Sequence, residues 1–405
     1  MTRLSLGALA CALVLSLPAA ASDSREVRKT LPARPGLTVE VENLAGTVRI
    51  EAATGNEVEI VAHLHAEGDD DAETKKLLSL LDVAFEGTGD RFAARAVFPV
   101  ESHGTIHYPD PQRREEEHGF LSLFGISRST VRYQGRRVTV VSGRRRHAPT
   151  LYADFRLRVP AGVAVSVRHA VGLVTGGGLK GAAAVDAQSA DVKLHGIGGR
   201  LDVKTGSGDV AIRDVDGDSN VQTGSGDVSF DGARGAVALH TGSGDVTLKN
   251  ARGDVKASTG SGDVTLADVE SKTVSASTGS GNVVLERVSG SLELETGSGD
   301  VHATRVTSLE RVHVETGSGN VVLRGDLSAA RDVKLDTSSG DVSVSLDRPL
   351  AMRLDARTSS GDISVDLPDM RTVRRDDHAL VAEVGSGGAT FHVQTSSGNV
   401  HVGAR

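Results

Sequence analysis

One short motif recurs along the chain at nearly constant spacing, and this recurrence constrains the fold more than any other feature. The motif reads Thr-[Gly/Ser]-Ser-Gly-[Asp/Asn], and its final residue recurs first every 18 residues, later about every 21, and after 37 at the last step. Self-similarity at a fixed period is typical of repeat proteins whose units stack on their neighbours. The final residues, beginning with a degenerate copy, are Asp191, Asp209, Asp227, Asp245, Asp263, Asn282, Asp300, Asn320, Asp341, Asp362 and Asn399.

Apolar residues flank each motif at alternate positions. In one repeat, Val237 and Leu239 precede the motif, while Val246 and Leu248 follow it. Alternation of this kind predicts β-strands with one buried face, and a helix is excluded because glycine would interrupt every repeat. The sequence therefore predicts an all-β protein, a single-stranded β-helix or β-solenoid of about 18-residue coils. Consecutive antiparallel hairpins are the alternative geometry.

The motif itself is interpreted as the structural corner of the coil. Its threonine hydroxyls would bond along their row or to turn backbone, and its carboxylates would accept local N–H groups as Asx-turns. Stacked like charges repel by roughly 1 kcal/mol per pair in water, a cost that asparagine at some corners would relieve. The turn residues taken as representative are Thr205, Gly206, Ser207, Gly208, Asp209, Thr241, Gly242, Ser243, Gly244 and Asp245.

Three alternatives place chemistry on the repeat instead. A calcium-binding β-roll would use the row Asp209, Asp227, Asp245 and Asp263, but calcium nonapeptides recur every nine residues and the ion needs six or more oxygens. A polysaccharide-acting β-helix enzyme needs a local carboxylate pair, whereas here a carboxylate recurs in nearly every coil. A flat Thr/Ser array could order water or bind a glycan. The interpretation favoured here has no catalytic residue, no cofactor and no metal.

The first 21 residues predict a signal peptide. Arg3 precedes an apolar stretch from Leu4 to Leu17, and small residues end at Ala21, where we expect cleavage. The one cysteine, Cys11, lies within this segment, so the mature chain would have no disulfide or thiol chemistry. Net charge of −8 argues against nucleic acid as a partner, and no later stretch predicts a transmembrane segment. We therefore expect an exported protein, either periplasmic or secreted to the cell surface.

The remaining sequence predicts four further segments. Residues 22–36 read as a linker, and residues 37–102 as a mixed, β-rich N-terminal cap with a short helix from Asp71 to Leu81. Residues 103–148 read as a polar insertion with an apolar island at 120–126 and an arginine run at 144–146, either of which could contact a partner or lipid head groups. Residues 149–405 form the predicted solenoid. His63 and His65 are taken as an exposed strand pair, with a metal site as the alternative.

This layout resembles the bacterial DUF4097 family of adhesin-like β-repeat proteins. The resemblance rests on an opening strand pair at Leu37–Val48, an entry strand at Tyr152–Pro160, the Thr-Gly-Ser-Gly-Asp-Val coils and the closing Thr395–Val400. The resemblance implies a β-repeat fold and an adhesin-like role. Our hypothesis is a non-catalytic binding or scaffold protein whose partner is an envelope or extracellular macromolecule, protein or glycan. Local function is expected where the repeat breaks, in residues 103–148 and around Pro368–His378.

Overall fold

The computed structural model describes residues 22–109, 127–143, 148–307, 310–348, 351–386 and 388–404. The predicted signal peptide, with Cys11 and Ala21, lies outside these residues. So do the apolar island at 120–126 and the arginine run at 144–146.

The described residues form 31 strands and one helix. The N-terminal elements are β1 (Ser22–Pro32), β2 (Thr38–Ala52), β3 (Glu57–Glu67), α1 (Asp71–Leu80), β4 (Asp82–Thr88), β5 (Arg91–Val97), β6 (Thr105–Tyr108), β7 (Ser127–Tyr133), β8 (Arg136–Ser142) and β9 (Thr150–Val159). The middle elements are β10 (Ala164–Gly177), β11 (Ala183–Ile197), β12 (Leu201–Ser207), β13 (Val210–Val215), β14 (Ser219–Ser225), β15 (Val228–Ala233), β16 (Val237–Ser243), β17 (Val246–Arg252), β18 (Val255–Ser261), β19 (Val264–Thr278) and β20 (Val283–Ser298). The C-terminal elements are β21 (Val301–Thr307), β22 (Arg311–Ser318), β23 (Val321–Asp326), β24 (Asp332–Ser339), β25 (Val342–Leu346), β26 (Met352–Ser360), β27 (Ile363–Asp366), β28 (Met370–Arg375), β29 (Ala379–Val384), β30 (Ala389–Ser397) and β31 (Val400–Ala404).

Parallel pairing in register stacks these strands into a solenoid. The strand that precedes the glycine corner of each coil pairs with its counterpart in the next coil, in the spatial order β2, β10, β11, β12, β14, β16, β18, β19, β20, β22, β24, β30 and β26. Twelve steps of about 4.8 Å give a rod about 60 Å long. The predicted β-solenoid with a β-rich cap is confirmed, and the antiparallel-hairpin alternative is wrong.

The core of the rod consists of the alternating apolar rows. Val237, Leu239, Val246 and Leu248 are all buried. The equivalent positions of the other coils are buried as well, except that Ile363 and Val365 of the outermost coil are half-buried. These side chains join one contiguous apolar cluster that extends from Leu37 to Val402. Because Val and Leu fill the narrow interior, the low aromatic content of the chain is compatible with a fully packed core.

The order of coils in space departs from the order in sequence at both ends of the rod. Near the N-terminus, β2 lies between β10 on one side and β5 and β9 on the other. Near the C-terminus, β30 and β31 lie between the coil of β24 and β25 and the coil of β26 and β27. The outer edge of β26 is then covered by β29, which pairs with it in antiparallel fashion and carries β28.

Two predicted segments differ from the structure. Residues 22–36 were expected to be a linker, but β1 pairs with β3 along its whole length, because its Val27 and Leu31 pack against the core. The insertion was expected to be a polar loop, but its described parts form β6, β7 and β8 around buried side chains such as Tyr133. The helix agrees with its prediction, and Asp70 caps it by accepting a hydrogen bond from the N–H of Glu73 at 2.8 Å.

Candidate functional site

The threonine of the repeat motif is buried and bonds to the neighbouring corner. The hydroxyl of Thr241 donates to the carbonyl oxygen of Gly226 in the preceding coil at 2.9 Å, and that of Thr259 donates to Gly244 at 2.8 Å. Strand pairing is interrupted at this corner between Ser243 and Val246, so the hydroxyl supplies a donor where the backbone ladder stops. Of the two predicted arrangements, the hydroxyls therefore bond to turn backbone. Thr205 bonds in the same way to Ala190 at 3.2 Å.

Both glycines of the motif are required by close approach of successive coils. A Cβ atom on Gly242 would lie 2.5 Å from the carbonyl oxygen of Gly224. On Gly244, which has a φ of +157°, it would lie 2.2 Å from that of Gly226. Any side chain would push the coils apart, so the glycines keep the corners at the spacing set by the strands.

The aspartate row forms a hydrogen-bond ladder along the rod. The backbone N–H of Asp227 donates to Oδ1 of Asp209, that of Asp245 to Asp227, and that of Asp263 to Asp245, at 2.9, 2.9 and 2.8 Å. The donor belongs to the next coil, not to the same corner as the Asx-turn prediction required. Asn282 keeps this geometry, since its Oδ1 accepts from the N–H of Asp300 at 3.0 Å.

One oxygen of each carboxylate proposed for calcium is thus engaged by backbone. Within the described ranges, no group of three or more His, Cys, Asp or Glu side chains is arranged to hold a metal ion. The rings of His63 and His65 lie 6.5 Å apart, and each ring is close to a carboxylate of a neighbouring strand, His63 to Glu26 and His65 to Asp154.

The corner ladders continue into the N-terminal cap with other residue types. His169 and Asn43 occupy the threonine row: Nε2 of His169 lies 3.0 Å from Gly46 O, and Nδ2 of Asn43 donates to Ala153 O at 2.7 Å. Asp154 occupies the aspartate row and accepts from the N–H of Thr47 at 2.7 Å. None of the three residues was predicted from the sequence to lie at a corner, although counting the coil register backwards from the first repeats places His169 in the threonine row.

Burial perturbs the ionisable groups of this cap. It lowers the pKa of His169 to about 4, raises the pKa of Asp154 and lowers the pKa of His65. The ring of His65 stacks on Tyr152 at a centroid distance of 4.5 Å, and its Nε2 lies 3.5 Å from Asp154. The cluster is built into the packing of the first corners, which makes it part of the end cap of the rod.

A side chain of the degenerate coil that ends at Asp191 forms hydrogen bonds with strand β7 of the insertion. Gln188 replaces the first glycine of the motif; its amide nitrogen donates to Arg132 O at 2.8 Å, and its amide oxygen accepts from Arg132 N at 2.9 Å. The phenol of Tyr133 donates to the carbonyl of Ala96 in the cap. The repeat therefore departs from its consensus where β7 docks on it.

An elongated depression, here called the trough, lies on the outer side of the strands that precede the corner. It has a volume of about 570 Å³ and crosses six coils, from Arg200 to Glu293. Alanines at 236 and 238 form its low centre, and longer side chains such as Lys256 and Asp254 border it. Lys256, Asp254 and Glu293 form no ion pair with any residue that the structure describes. The signal for it in the sequence is Ala238, a small residue at an outward position between Asn220 and Lys256 of the neighbouring coils.

The in-register stack of coils and its glycine corners define a β-solenoid repeat protein. The Toastrack DUF4097 family model matches residues 235–403, which confirms the predicted resemblance over that part of the chain. No curated protein matches the chain. Among solved structures, the crystal structure of a "putative cell adhesion protein" from Clostridium sporogenes ATCC 15579 aligns over 95% of this chain and 100% of that chain, with 7% identity and a TM-score of 0.19. At that TM-score the likeness supports no inference about function. No helix among the described residues has the length and apolarity needed to cross a membrane.

Proposed function

We propose that this protein is an exported, non-catalytic β-solenoid that binds an envelope or extracellular macromolecule along the trough. The observation that carries the proposal is the trough itself, a continuous depression of about 570 Å³ that crosses six coils and is bordered by polar side chains. Roughly 24 Å of rod separates its ends at 4.8 Å per coil, which suits a segment of an extended polymer or peptide.

A structural role for the recurrent carboxylates supports a binding function over a catalytic one. Asp209, Asp227 and Asp245 each accept a backbone N–H of the following coil, and this engagement repeats along the ladder. A glycosidase or lyase would instead place two carboxyl groups on opposite sides of one bond. The trough offers Asp254, Lys256 and Glu293 as hydrogen-bonding groups, and the low alanines of the adjoining coil leave room for a ligand.

Blocking the trough tests the proposal. The chain from Ser22 would be used to capture partners from envelope extract and from purified glycans. Ala238→Arg should abolish capture, because a long side chain would stand in the low centre of the trough. Ala211→Arg is the matched control, since Ala211 is also half-exposed but lies on the strand that follows the corner. Capture that survives Ala238→Arg, or that is lost equally with Ala211→Arg, would refute the trough as the binding surface.

A further inference from the structure

A second depression lies where the glycines at 176 and 177 interrupt the outward side chains of a coil. It has a volume of about 410 Å³ and faces outward from the strands that follow the corner. A Cβ on Gly177 would lie 2.2 Å from the ring of His195, so the imidazole lies across the space that a side chain would fill. Ile50 and Leu194 close over the missing side chain of Gly176 on the core side.

Two unpaired cations flank this depression. Thr175 pairs in register with Arg49 on one side and with Lys193 on the other, so the three side chains form one row across adjacent coils. Arg49 and Lys193 are exposed, and neither forms an ion pair with a described residue. Their Cα atoms lie two coil steps apart, roughly 10 Å, so both long side chains can converge above Thr175.

The carboxylate that lines this depression, Glu51, is already engaged. Glu51 accepts from Arg156 at 2.8 Å and lies 3.7 Å from Arg158, and the bond from Arg156 lowers its pKa. Arg49 also contributes to lowering this pKa, but Glu51 shares its single charge among three arginines and therefore leaves Arg49 and Lys193 with a net positive charge. The whole chain carries a net charge of −8, so this cationic row runs against the overall charge.

The hydroxyl of Thr175 completes the set of donors. Its oxygen is buried and has no hydrogen-bond partner among the described residues. A buried hydroxyl without a partner is costly, and an acceptor that entered between Arg49 and Lys193 would satisfy it. Guanidinium, ammonium and hydroxyl donors that converge on one point match the tetrahedral oxygens of a phosphate group.

We propose that Arg49, Thr175 and Lys193 form a binding site for a phosphate-class oxyanion. The site lies on a different strand row from the trough and does not depend on the function proposed for it. Either inorganic phosphate or a lipid headgroup would present the required oxygens.

Binding would be measured with the chain from Ser22 at low ionic strength. Inorganic phosphate is titrated by calorimetry, and flotation is compared between vesicles of phosphatidylglycerol and of phosphatidylcholine. Loss of one charge-assisted hydrogen bond should weaken binding roughly tenfold or more, so Arg49→Gln and Lys193→Gln should each do so. Lys204→Gln is the control, since Lys204 is exposed and forms no ion pair with a described residue, but lies on the other strand row.

Thr175→Val separates a binding role from a structural one. It keeps the side-chain shape and removes the unpartnered hydroxyl, so we expect several-fold weaker phosphate binding with no fall in the melting temperature. If phosphate binding depends on Arg49 and Lys193, the site takes the free ion. If flotation with phosphatidylglycerol vesicles depends on the same two residues, the site takes a lipid headgroup. The proposal is overturned if the protein binds neither probe, or if the Arg49→Gln/Lys193→Gln double variant binds as well as the wild type.

Discussion

Thr241→Val removes one rung of the threonine ladder and tests whether the corners hold the coils together. Thr241 is fully buried, and its hydroxyl donates to the carbonyl oxygen of Gly226 at 2.9 Å. Valine has nearly the same shape, so the packing of the row is kept while the carbonyl loses its donor. Leaving a buried acceptor unsatisfied costs about 1–3 kcal/mol. That cost should appear as a loss of local stability at the two adjoining corners.

The assay must report local opening, because long repeat arrays need not unfold in a single step. Amide hydrogen exchange followed by mass spectrometry gives the opening free energy of peptides that cover residues 224–246. A loss of 1–3 kcal/mol raises the opening constant roughly five- to 150-fold, while peptides from distant coils should exchange as in the wild type.

The control is Thr247→Val, at a half-exposed position on the outer side of β17. Surface changes of this kind usually alter stability by less than about 0.5 kcal/mol. Exchange at residues 224–246 that changes less than twofold in Thr241→Val, or equally in both variants, would show that the hydroxyl bond contributes nothing to the stack.

Two further predictions concern the aspartate row and the buried histidine. Asp245→Asn should be at least as stable as the wild type, because the amide oxygen still accepts from the N–H of Asp263 and one charge of the row is removed. Asp245→Ala should lose about 0.5–1.5 kcal/mol of local stability in the same exchange assay. Equal effects of the two changes would contradict the ladder. Burial lowers the pKa of His169 to about 4 from an unfolded value near 6.5, so the unfolded state binds more protons between these values. The free energy of unfolding is therefore highest above pH 6.5, where His169 is neutral in both states. It falls by up to about 3 kcal/mol as pH falls towards 4. His169→Thr, which restores the residue of later coils, should flatten the melting temperature between pH 7 and 4.5 relative to the wild type; an unchanged pH profile would refute this, and exposed His240→Thr is the control.

The repeat region was predictable from the sequence because each coil carries the same alternation of apolar residues and the same glycines. Alternation at positions such as Val237 and Leu239 fixes which face is buried, and the two glycines fix the corner. The ladder partners were harder to predict, since bonds from Asp245 to Asp227 depend on the register between coils and not on the local turn. The corner role of His169 was not predicted, because a histidine makes there the hydrogen bond that threonine makes in later coils.

The trough and the Gly176–Gly177 depression escaped the sequence analysis for a related reason. Each arises from small or absent side chains at a few outward positions, such as Gly177, whereas a motif is defined by the residues that are present. Both lie within the continuous stack of coils. The expectation that local function would be found where the repeat breaks therefore covers neither of the two surfaces for which binding is proposed.

The exchanged order of the end coils is the feature that the sequence conceals most completely. Every interior coil presents the same pair of edges, so nothing in the residues of β30 distinguishes a place after β26 from a place between β24 and β26. The 37-residue step before Asn399 provides the length for the hairpin of β28 and β29, and it fits either order. The outcome matters for stability, because a coil that ended the rod would expose one edge to fraying and to pairing with other chains. With β30 paired on both sides and β29 laid over β26, the C-terminal segment can leave only by breaking two ladders at once.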